Sequence, residues 1–319
     1  AWEKGWVKPV KPPKEMNKSI GIIGAGPGGM AAAEQLRKKG YQVMIYDKYD
    51  RPGGLLIYGI PNFKLEKYVV ERRTQILKKS GIIFYQDFEV GKTKPFNYLK
   101  KKHDAILIAT GVYKARDLNI PGIKLSNIFP ALDFLIASNR KGLGDSVPNF
   151  DNGRLNAKKK NVVVVGGGDT AMDCVRTAVR QGAKNVKCLY RRNRENMPGS
   201  MREVLHAEEE GVEFKWLSVP INIFGNKQVD AIEVAKVKLG EPDASGRESP
   251  KILAKDTFKL KADMVIKAIG FHPEPLPKLF NHPSLQVTKW GTIKIDHETM
   301  MTNQPGIFAA GDIVRGAAL

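Results

Sequence analysis

Two glycine-rich segments have the residue types and spacing of a turn that holds a nucleotide diphosphate. They are Gly24-Ala25-Gly26-Pro27-Gly28-Gly29 and Gly166-Gly167-Gly168-Asp169-Thr170-Ala171. In such a turn the first glycine permits a tight bend, the second lets the backbone approach the diphosphate, and the third lets the next helix pack on the strand. One such segment is a weak signal. Two, each between a β-branched run and a helix-like run, predict two nucleotide cofactors with electrons moving between them.

The residue that ends the strand after each glycine segment should decide which dinucleotide binds there. Asp47 ends the predicted strand after the first segment, where a carboxylate accepts hydrogen bonds from ribose hydroxyls and repels a 2′-phosphate. The first segment is therefore predicted to bind FAD or NAD. Arg191 and Arg192 take that place after the second segment, and guanidinium groups donate paired, charge-assisted hydrogen bonds to phosphate. The second segment is predicted to prefer NADPH to NADH; the alternative is a solvated cationic turn.

No side chain is predicted to act as a catalytic acid or base, because the cofactors themselves carry out hydride transfer. Asp169 begins a predicted helix and is interpreted as a helix cap rather than as a catalytic acid. The histidines are dispersed and none has a partner at metal-ligand spacing, so we expect no metal site and place them all at the surface or in loops. They are His103, His206, His272, His282 and His297.

The pattern of apolar runs and glycine stops predicts alternating strands and helices. Strands are predicted over 20–23, 42–46, 82–85, 105–109, 161–165, 186–190 and 306–311, and helices over 29–39, 65–80 and 170–180. Residues 229–263 read as antiparallel strands with a turn at 240–250. Prolines make residues 1–18 an extended arm, and the polar stretch 138–160 reads as a loop that leads into a second domain.

These elements predict an α/β chain with two Rossmann-like (doubly wound, three-layer ββα) nucleotide-binding domains, the second inserted in the first. The predicted organisation assigns two parts of the chain to the first domain. It runs as an N-terminal arm at 1–18, a FAD-binding domain at 19–145, an NADPH-binding domain at 146–270 and the second part of the FAD-binding domain at 271–319.

Composition restricts the partners. The net charge of +19 either attracts anions such as nucleotide phosphates or an acidic protein, or reflects a lysine-rich solvated surface. Nucleic acid is not an expected partner, because the sequence has no zinc spacing and no RNA-binding aromatic motif. Cys174 and Cys188 form no CxxC motif, so no thiol redox pair or iron–sulfur site is predicted within the chain.

The apolar runs and the N-terminal residues bear on the cellular compartment of the protein. No run reaches the roughly 18–20 apolar residues of a membrane span, so no membrane partner is expected. The first residues lack both a signal-peptide core and an initiator Met, which suggests a fragment or a processed product. We therefore expect a reducing interior, either bacterial cytoplasm or an organelle interior in a eukaryote.

Beyond the glycine segments, several motifs together resemble one family, the small (β) subunits of glutamate synthase. This family is related to adrenodoxin reductase and to the N-terminal part of dihydropyrimidine dehydrogenase. The resemblance covers nearly the whole chain. Its motifs are GWVKP at 5–9, GAGPGG at 24–29, RPGGL at 51–55, YGIP at 58–61, ATG at 109–111, GGGDTAMDC at 166–174, YRRNRENMP at 190–198, GEPD at 240–243, IGF at 269–271 and PGIFAAGD at 305–312.

The resemblance implies further cofactor contacts. For FAD it adds residues near the diphosphate and ribityl chain, near the adenine, and where the chain leaves the first domain. They are Arg51, Gly53, Gly54, Leu55, Phe88, Val90, Ala109, Thr110, Gly111, Gly311 and Asp312. For NADPH it adds Gly270, where the chain returns.

The resemblance also implies an activity. It points to a flavoprotein module that passes hydride from NADPH to FAD and feeds electrons through iron–sulfur clusters to a glutamate synthase large subunit. The large subunit forms glutamate from glutamine and 2-oxoglutarate. Family members hold two [4Fe–4S] clusters in an N-terminal part that precedes this chain, and they continue past its last residue into a helix facing the flavin. Two alternatives remain: the electron-input subunit of another NAD(P)H-linked reductase, of the ferredoxin–NADP or sulfide reductase type, or a non-catalytic scaffold with this fold.

Overall fold

The computed structural model describes residues 1–242 and 248–317. The chain divides into two compact units: a first unit of residues 1–114 and 271–319, and a second unit of residues 115–270. The second unit is therefore inserted in the first, as the sequence predicts.

The helices and strands follow the chain in three segments. Before the insertion they are β1 (Ser19–Ile23), α1 (Pro27–Lys38), β2 (Gln42–Tyr46), α2 (Leu55–Tyr58), α3 (Lys67–Lys79), β3 (Ile83–Tyr85), α4 (Phe96–Lys102), β4 (Ala105–Ile108) and, at the crossing, β5 (Lys114–Ala115). In the insertion they are β6 (Ile128–Pro130), α5 (Ala131–Gly142), α6 (Pro148–Asp151), β7 (Asn161–Val165), α7 (Asp169–Arg180), β8 (Asn185–Leu189), α8 (Met201–Glu209), β9 (Glu213–Lys215), β10 (Ser218–Phe224), β11 (Ala231–Pro242), β12 (Glu248–Lys261) and β13 (Met264–Lys267). After the return they are β14 (Phe271–His272), α9 (Leu276–Leu279), β15 (Ile307–Ala309) and α10 (Asp312–Arg315).

The first unit is built on a five-stranded parallel sheet in the order β15-β4-β1-β2-β3. One face packs Ile22 and Ile45 against Ala33 of α1 and Leu77 of α3. The opposite face packs against α4 and the returning segment. Because all strands are parallel, the carboxyl ends of β1, β2, β4 and β15 meet at one edge, where a nucleotide is expected to bind.

The second unit repeats this plan with a sheet in the order β6-β13-β7-β8-β9. Helices α5, α7 and α8 cover one face through a core that contains Phe134, Met172 and Val204. The antiparallel sheet β10-β11-β12 covers the other face through Ile232 and Val234. This is the predicted three-layer ββα arrangement.

The start of the second unit differs from the predicted start at residue 146. The compact unit begins at Ala115, because β6 pairs with β13 and α5 packs on α7. The polar stretch 138–160 was also predicted to be a loop, but α5 continues to Gly142 and α6 lies within the stretch. Amphipathic helix ends are polar on their exposed side, so composition alone concealed both helices.

Two other regions refine the predictions. The arm at 1–18 begins with a turn, in which the N–H of Trp6 donates to the carbonyl of Ala1 over 3.1 Å, and is otherwise extended. The predicted turn at 240–250 is narrower, because β11 reaches Pro242 and β12 starts at Glu248; Asp243 and the other residues of 243–247 lie outside the described residues. Across the described part of the chain, no helix has the length and apolarity needed to cross a bilayer.

Candidate dinucleotide sites

The first glycine segment forms the turn between β1 and α1. Gly24 has a φ of +109°, and a Cβ there would collide with the carbonyl oxygen of Ala109. A Cβ at Gly29 would collide with the carbonyl oxygen of Gly24. By contrast, a Cβ at Gly26 or Gly28 would meet nothing within 4 Å. Gly24 and Gly29 are thus required by the fold, whereas Gly26 and Gly28 leave open space at the N-terminus of α1, where a diphosphate is favoured.

Asp47 ends β2 beside this turn and is buried. Its Oδ2 accepts the N–H of Ala25 over 2.5 Å and its Oδ1 accepts the N–H of Tyr49 over 2.8 Å. Burial raises the pKa of Asp47, although these backbone donors oppose the change. A carboxylate has about four acceptor positions, so two remain for ribose hydroxyls.

The carboxyl edge of the first sheet carries an open cleft, formed where the strands end and the glycine turn begins. Many predicted FAD-site residues line it. They are Gly24, Gly26, Pro27, Gly28, Asp47, Leu55, Phe88, Val90, Ala109, Thr110, Gly111, Gly311 and Asp312. The open glycine positions and the carboxylate acceptors around the cleft fit a dinucleotide such as FAD.

Five predicted FAD-site residues do not line the cleft. Ala25 is buried and contributes its N–H to Asp47, and Gly29 lies against the turn. Arg51 forms an ion pair with Asp50. At Gly53 a Cβ would press on Ile57 and Val70, and Gly54 lies beside the glycine turn, where a Cβ would be 3.0 Å from the Cα of Gly26.

Asp312 enters the cleft at the start of α10. Gly311 precedes it with a φ of +83° and open space around its Cβ position. Burial raises the pKa of the Asp312 carboxyl. The two residues follow β15, after the chain has returned to the first unit, so the cleft uses both parts of that unit.

Sequence reasoning missed several lining residues, among them Lys48, Tyr113 and Glu274. Lys48 forms an ion pair with Glu274, its Nζ lying 3.3 Å from Oε1, and it also lies 5.0 Å from the centre of the Tyr113 ring. Burial first, then nearby Tyr49 and carboxylates, raise the pKa of Tyr113. Glu274 is distant in sequence, and no local pattern indicates it. Tyr113 follows the ATG motif closely, which is a signal that could have been used.

The second glycine segment reproduces the first turn between β7 and α7. Gly166 has a φ of +145°, and a Cβ there would collide with the carbonyl oxygen of Ala268, the counterpart of Ala109. Gly168 is open, with nothing within 4 Å of a Cβ. The last position differs, since Ala171 is fully buried where the first unit has Gly29.

Backbone hydrogen bonds show which residues correspond after the next strand. The N–H of Gly24 donates to the carbonyl of Tyr46, and the N–H of Gly166 donates to that of Leu189. The residue after Leu189 is Tyr190, so Tyr190, not Arg191, has the place of Asp47. The prediction that Arg191 occupies the acid's place was therefore wrong by one residue; Arg191 corresponds to Lys48.

The arginines after β8 differ in their surroundings. Arg191 is exposed, and within the described ranges no hydrogen bond or ion pair of its side chain is recorded. The Nε of Arg192 donates to the carbonyl of Glu248 over 2.9 Å, and Arg194 pairs with Glu208. Arg191 is thus the arginine best able to meet a phosphate.

Three other predicted residues are placed as follows. Gly270 has a φ of +95° and its carbonyl accepts the N–H of Arg116. Asp169 is the first residue of α7 and does not cap it; the N-cap is Gly168. Thr170 follows Asp169 in the first turn of α7.

One histidine lies in a loop, between α4 and β4, but is not at the surface. His103 is buried: its Nε2 lies 2.9 Å from the hydroxyl of Tyr46 and its Nδ1 lies 3.2 Å from Oγ of Ser19. Burial, with Lys102 nearby, lowers the pKa of His103 to about 4. Its hydrogen-bond partners, Tyr46 and Ser19, belong to β2 and β1, which are distant in sequence. The lysine-rich sequence next to His103 therefore gave no indication that the residue is buried. In the described residues, no group of three or more His, Cys, Asp or Glu side chains could hold a metal ion.

Known proteins resemble this chain in sequence. The sequence model of the pyridine nucleotide-disulphide oxidoreductase family matches residues 18–319. The glutamate synthase [NADPH] small chain of Azospirillum brasilense is 59% identical over the whole chain, which spans 66% of that protein. A putative glutamate synthase [NADPH] small chain of Cereibacter sphaeroides is 57% identical, and the chain spans 76% of it.

A solved structure agrees at the level of the fold. FprA of Mycobacterium tuberculosis in complex with NADPH superposes with a TM-score of 0.78 at 21% identity, covering 97% of this chain and 80% of FprA. The match over nearly the whole chain and the high identity to these small chains agree with the motif resemblance. The chain belongs to the pyridine nucleotide-disulphide oxidoreductase family and, within it, to the family of glutamate synthase small subunits.

Proposed function

We propose that this chain is the NADPH-oxidising flavoprotein module of a glutamate synthase. The observation that carries the proposal is the repeated strand, glycine turn and helix, followed by a carboxylate in the first unit and by an exposed guanidinium in the second. The family relationship supports it independently.

In the first unit, the open positions at Gly26 and Gly28 would receive the FAD diphosphate at the N-terminus of α1. Asp47 would accept hydrogen bonds from the adenosine ribose, since it lines the cleft and has acceptor positions beyond the two that backbone N–H groups use. Asp312 would accept from a hydroxyl of the ribityl chain. Gly24 and Gly29 keep the turn close to the sheet and need not touch the cofactor.

In the second unit, the open position at Gly168 and the first turn of α7 would receive the NADPH diphosphate. The exposed Arg191 would bind the 2′-phosphate, with Arg192 as a second donor. This assignment makes the arginine pair the basis of preference for NADPH over NADH.

When held in the first unit, FAD would supply the capacity to accept hydride from NADPH and to pass electrons on singly. The chain supplies binding and orientation, and no side chain acts as acid or base in hydride transfer. In the whole enzyme, the electrons would pass through [4Fe–4S] clusters to a large subunit that forms glutamate from glutamine and 2-oxoglutarate. Both cysteines are buried and unpaired, which supports a reducing compartment such as bacterial cytoplasm.

The test is to mix the purified chain with FAD and NADPH without oxygen and to follow the flavin absorbance at about 450 nm. Bleaching by NADPH, with slower bleaching by NADH, is expected. Bound FAD that NADPH does not bleach would overturn the proposal and favour a scaffold. Bleaching by NADPH, together with failure of the full-length protein to deliver electrons to a glutamate synthase large subunit, would indicate the input subunit of another reductase.

A further inference from the structure

Asp169 conflicts with the role of the helix that it begins. The N-terminus of α7 is where the proposed function places an anionic diphosphate, and a carboxylate in that first turn repels an anion. The matching turn of α1 contains no acidic residue. A carboxylate in this place therefore needs a separate structural explanation.

The contacts of Asp169 supply one. Its Oδ1 accepts the backbone N–H of Ser200 over 3.0 Å. The preceding residue, Gly199, is buried and donates its N–H to the carbonyl of Gly167 over 3.0 Å. A Cβ at Gly199 would lie 3.0 Å from that same carbonyl oxygen, so the segment lies directly against the glycine turn.

This segment is the end of the loop that begins with the arginines. The loop is tied together internally: the Tyr190 hydroxyl donates to the carbonyl of Asn196 over 2.8 Å, and Oδ1 of Asn193 accepts the side-chain N–H of Asn196 over 2.7 Å. Fixing residues 199 and 200 on the glycine turn therefore also limits where Arg191 can stand relative to α7. The spacing between diphosphate and 2′-phosphate sites depends on that placement.

We propose that Asp169 is a positioning residue that clamps the arginine loop to the glycine turn and so sets the preference for NADPH. The inference rests on the proposed function, because it assumes that Arg191 reads the 2′-phosphate. The clamp acts through the loop and not on the reacting atoms.

Two variants break the clamp from opposite sides. D169A removes the acceptor. S200P removes the donor, and proline suits the backbone because Ser200 has a φ of −56°. Each should raise the ratio of KM for NADPH to KM for NADH by roughly tenfold and leave kcat nearly unchanged. The ratio is the readout because D169A also removes a negative charge that repels the diphosphates of both nucleotides. The double variant should be no worse than either single one, because both remove the same hydrogen bond.

Two controls keep these bonds. D169N retains an acceptor for the Ser200 N–H and removes the charge, so it should keep NADPH preference and bind both nucleotides at least as tightly. S200A keeps the backbone N–H donor. The Ser200 hydroxyl that it removes makes no capping hydrogen bond to α8, so this variant should behave as wild type.

Equal increases in KM for both nucleotides in D169A and S200P, or loss of preference in D169N, would overturn the clamp. If instead the wild-type chain shows no NADPH preference and R191A changes nothing, the proposed function fails, and the clamp, which rests on it, is overturned with it. Thermal unfolding of each variant, measured without nucleotide, separates these outcomes from a loss of folded protein.

Discussion

The two glycine turns share one backbone and differ at the residue that follows the next strand. In the first unit that residue is Asp47, whose carboxylate bonds to the N–H of Ala25. In the second unit it is Tyr190, whose ring would collide with any Cβ at Gly167. Alanine is therefore possible in the middle of the first turn and excluded from the second. The two turns are therefore distinguished by Asp47 and Tyr190 and not by their glycines alone.

The next position continues the contrast. Lys48 and Arg191 correspond in the backbone and both are exposed, but Lys48 pairs with Glu274, whereas Arg191 has no recorded ion pair with any described residue. The first unit thus neutralises the cation that the second unit presents. A carboxylate and a neutralised lysine disfavour an additional phosphate, whereas an exposed guanidinium favours one.

Gly24→Ala is expected to have the largest effect. A Cβ there meets the backbone of Ala109 at a positive φ, so a loss of about 4 kcal/mol or more in the free energy of unfolding is expected. Gly26→Ala is the matched variant, because its Cβ meets no protein atom. It should unfold like wild type and yet bind FAD more weakly. Normal FAD affinity in Gly26→Ala would place the diphosphate elsewhere.

Acid should weaken the first unit through His103. Its pKa in the folded chain is about 4, below the usual 6.5, so the unfolded chain takes up the proton first as pH falls. Stability is therefore intact above pH 6.5 and decreases towards pH 4, by up to about 3 kcal/mol. His103→Gln should lose less over this range in chemical unfolding. In the second unit, Leu189 replaces the Tyr46 that bonds His103. Parallel pH curves for wild type and variant would contradict this difference.

The two arginines should differ in nucleotide preference. Arg191→Ala should raise KM for NADPH by about 10- to 100-fold and barely change KM for NADH, because each lost charge-assisted bond costs about 1.5–3 kcal/mol. Arg192→Ala should raise KM for NADPH relative to KM for NADH by less, since the Nε of Arg192 already donates a hydrogen bond to the carbonyl of Glu248. Steady-state kinetics with both nucleotides checks the order. Equal effects on NADPH and NADH would remove the 2′-phosphate assignment.

Asp47→Asn should give the smallest effect. Asparagine still accepts the N–H of Ala25 through its single oxygen but offers ribose hydroxyls no charge, so the dissociation constant for FAD should rise about five- to tenfold. Its NH2 would then face the N–H of Tyr49, which loses its acceptor, so the free energy of unfolding without cofactor at pH 7 should fall by about 1 kcal/mol. Unchanged FAD affinity in a titration would assign Asp47 to the fold alone.

Local patterns predicted the parts of the fold that depend on nearby residues. Strand β2 has the predicted bounds of 42–46, and both glycine turns lie between a strand and a helix. The position of Arg191 was off by one because the second unit has one more residue between turn and strand end than the first, and spacing cannot reveal that. Backbone hydrogen bonds can.

Long-range partners escaped prediction altogether. Glu274 reaches Lys48 only after the chain has passed through the inserted unit, and His103 is buried by Tyr46 and Ser19 from other strands. The contact of Asp169 with the arginine loop could not be predicted either, because its partner is the backbone N–H of Ser200, which any residue type except proline provides. Sequence spacing finds turns, whereas the contacts between turns and distant loops require the folded chain.

The most direct test is equilibrium binding of FAD and NADP⁺ to the same preparation. The two glycine turns, one specific for FAD and one for NADPH, predict that each chain binds one FAD and one NADP⁺. Excess NADP⁺ should not displace FAD, and excess FAD should not displace NADP⁺. Mutual displacement, or a single site for both nucleotides, would contradict the assignment of one cofactor to each unit.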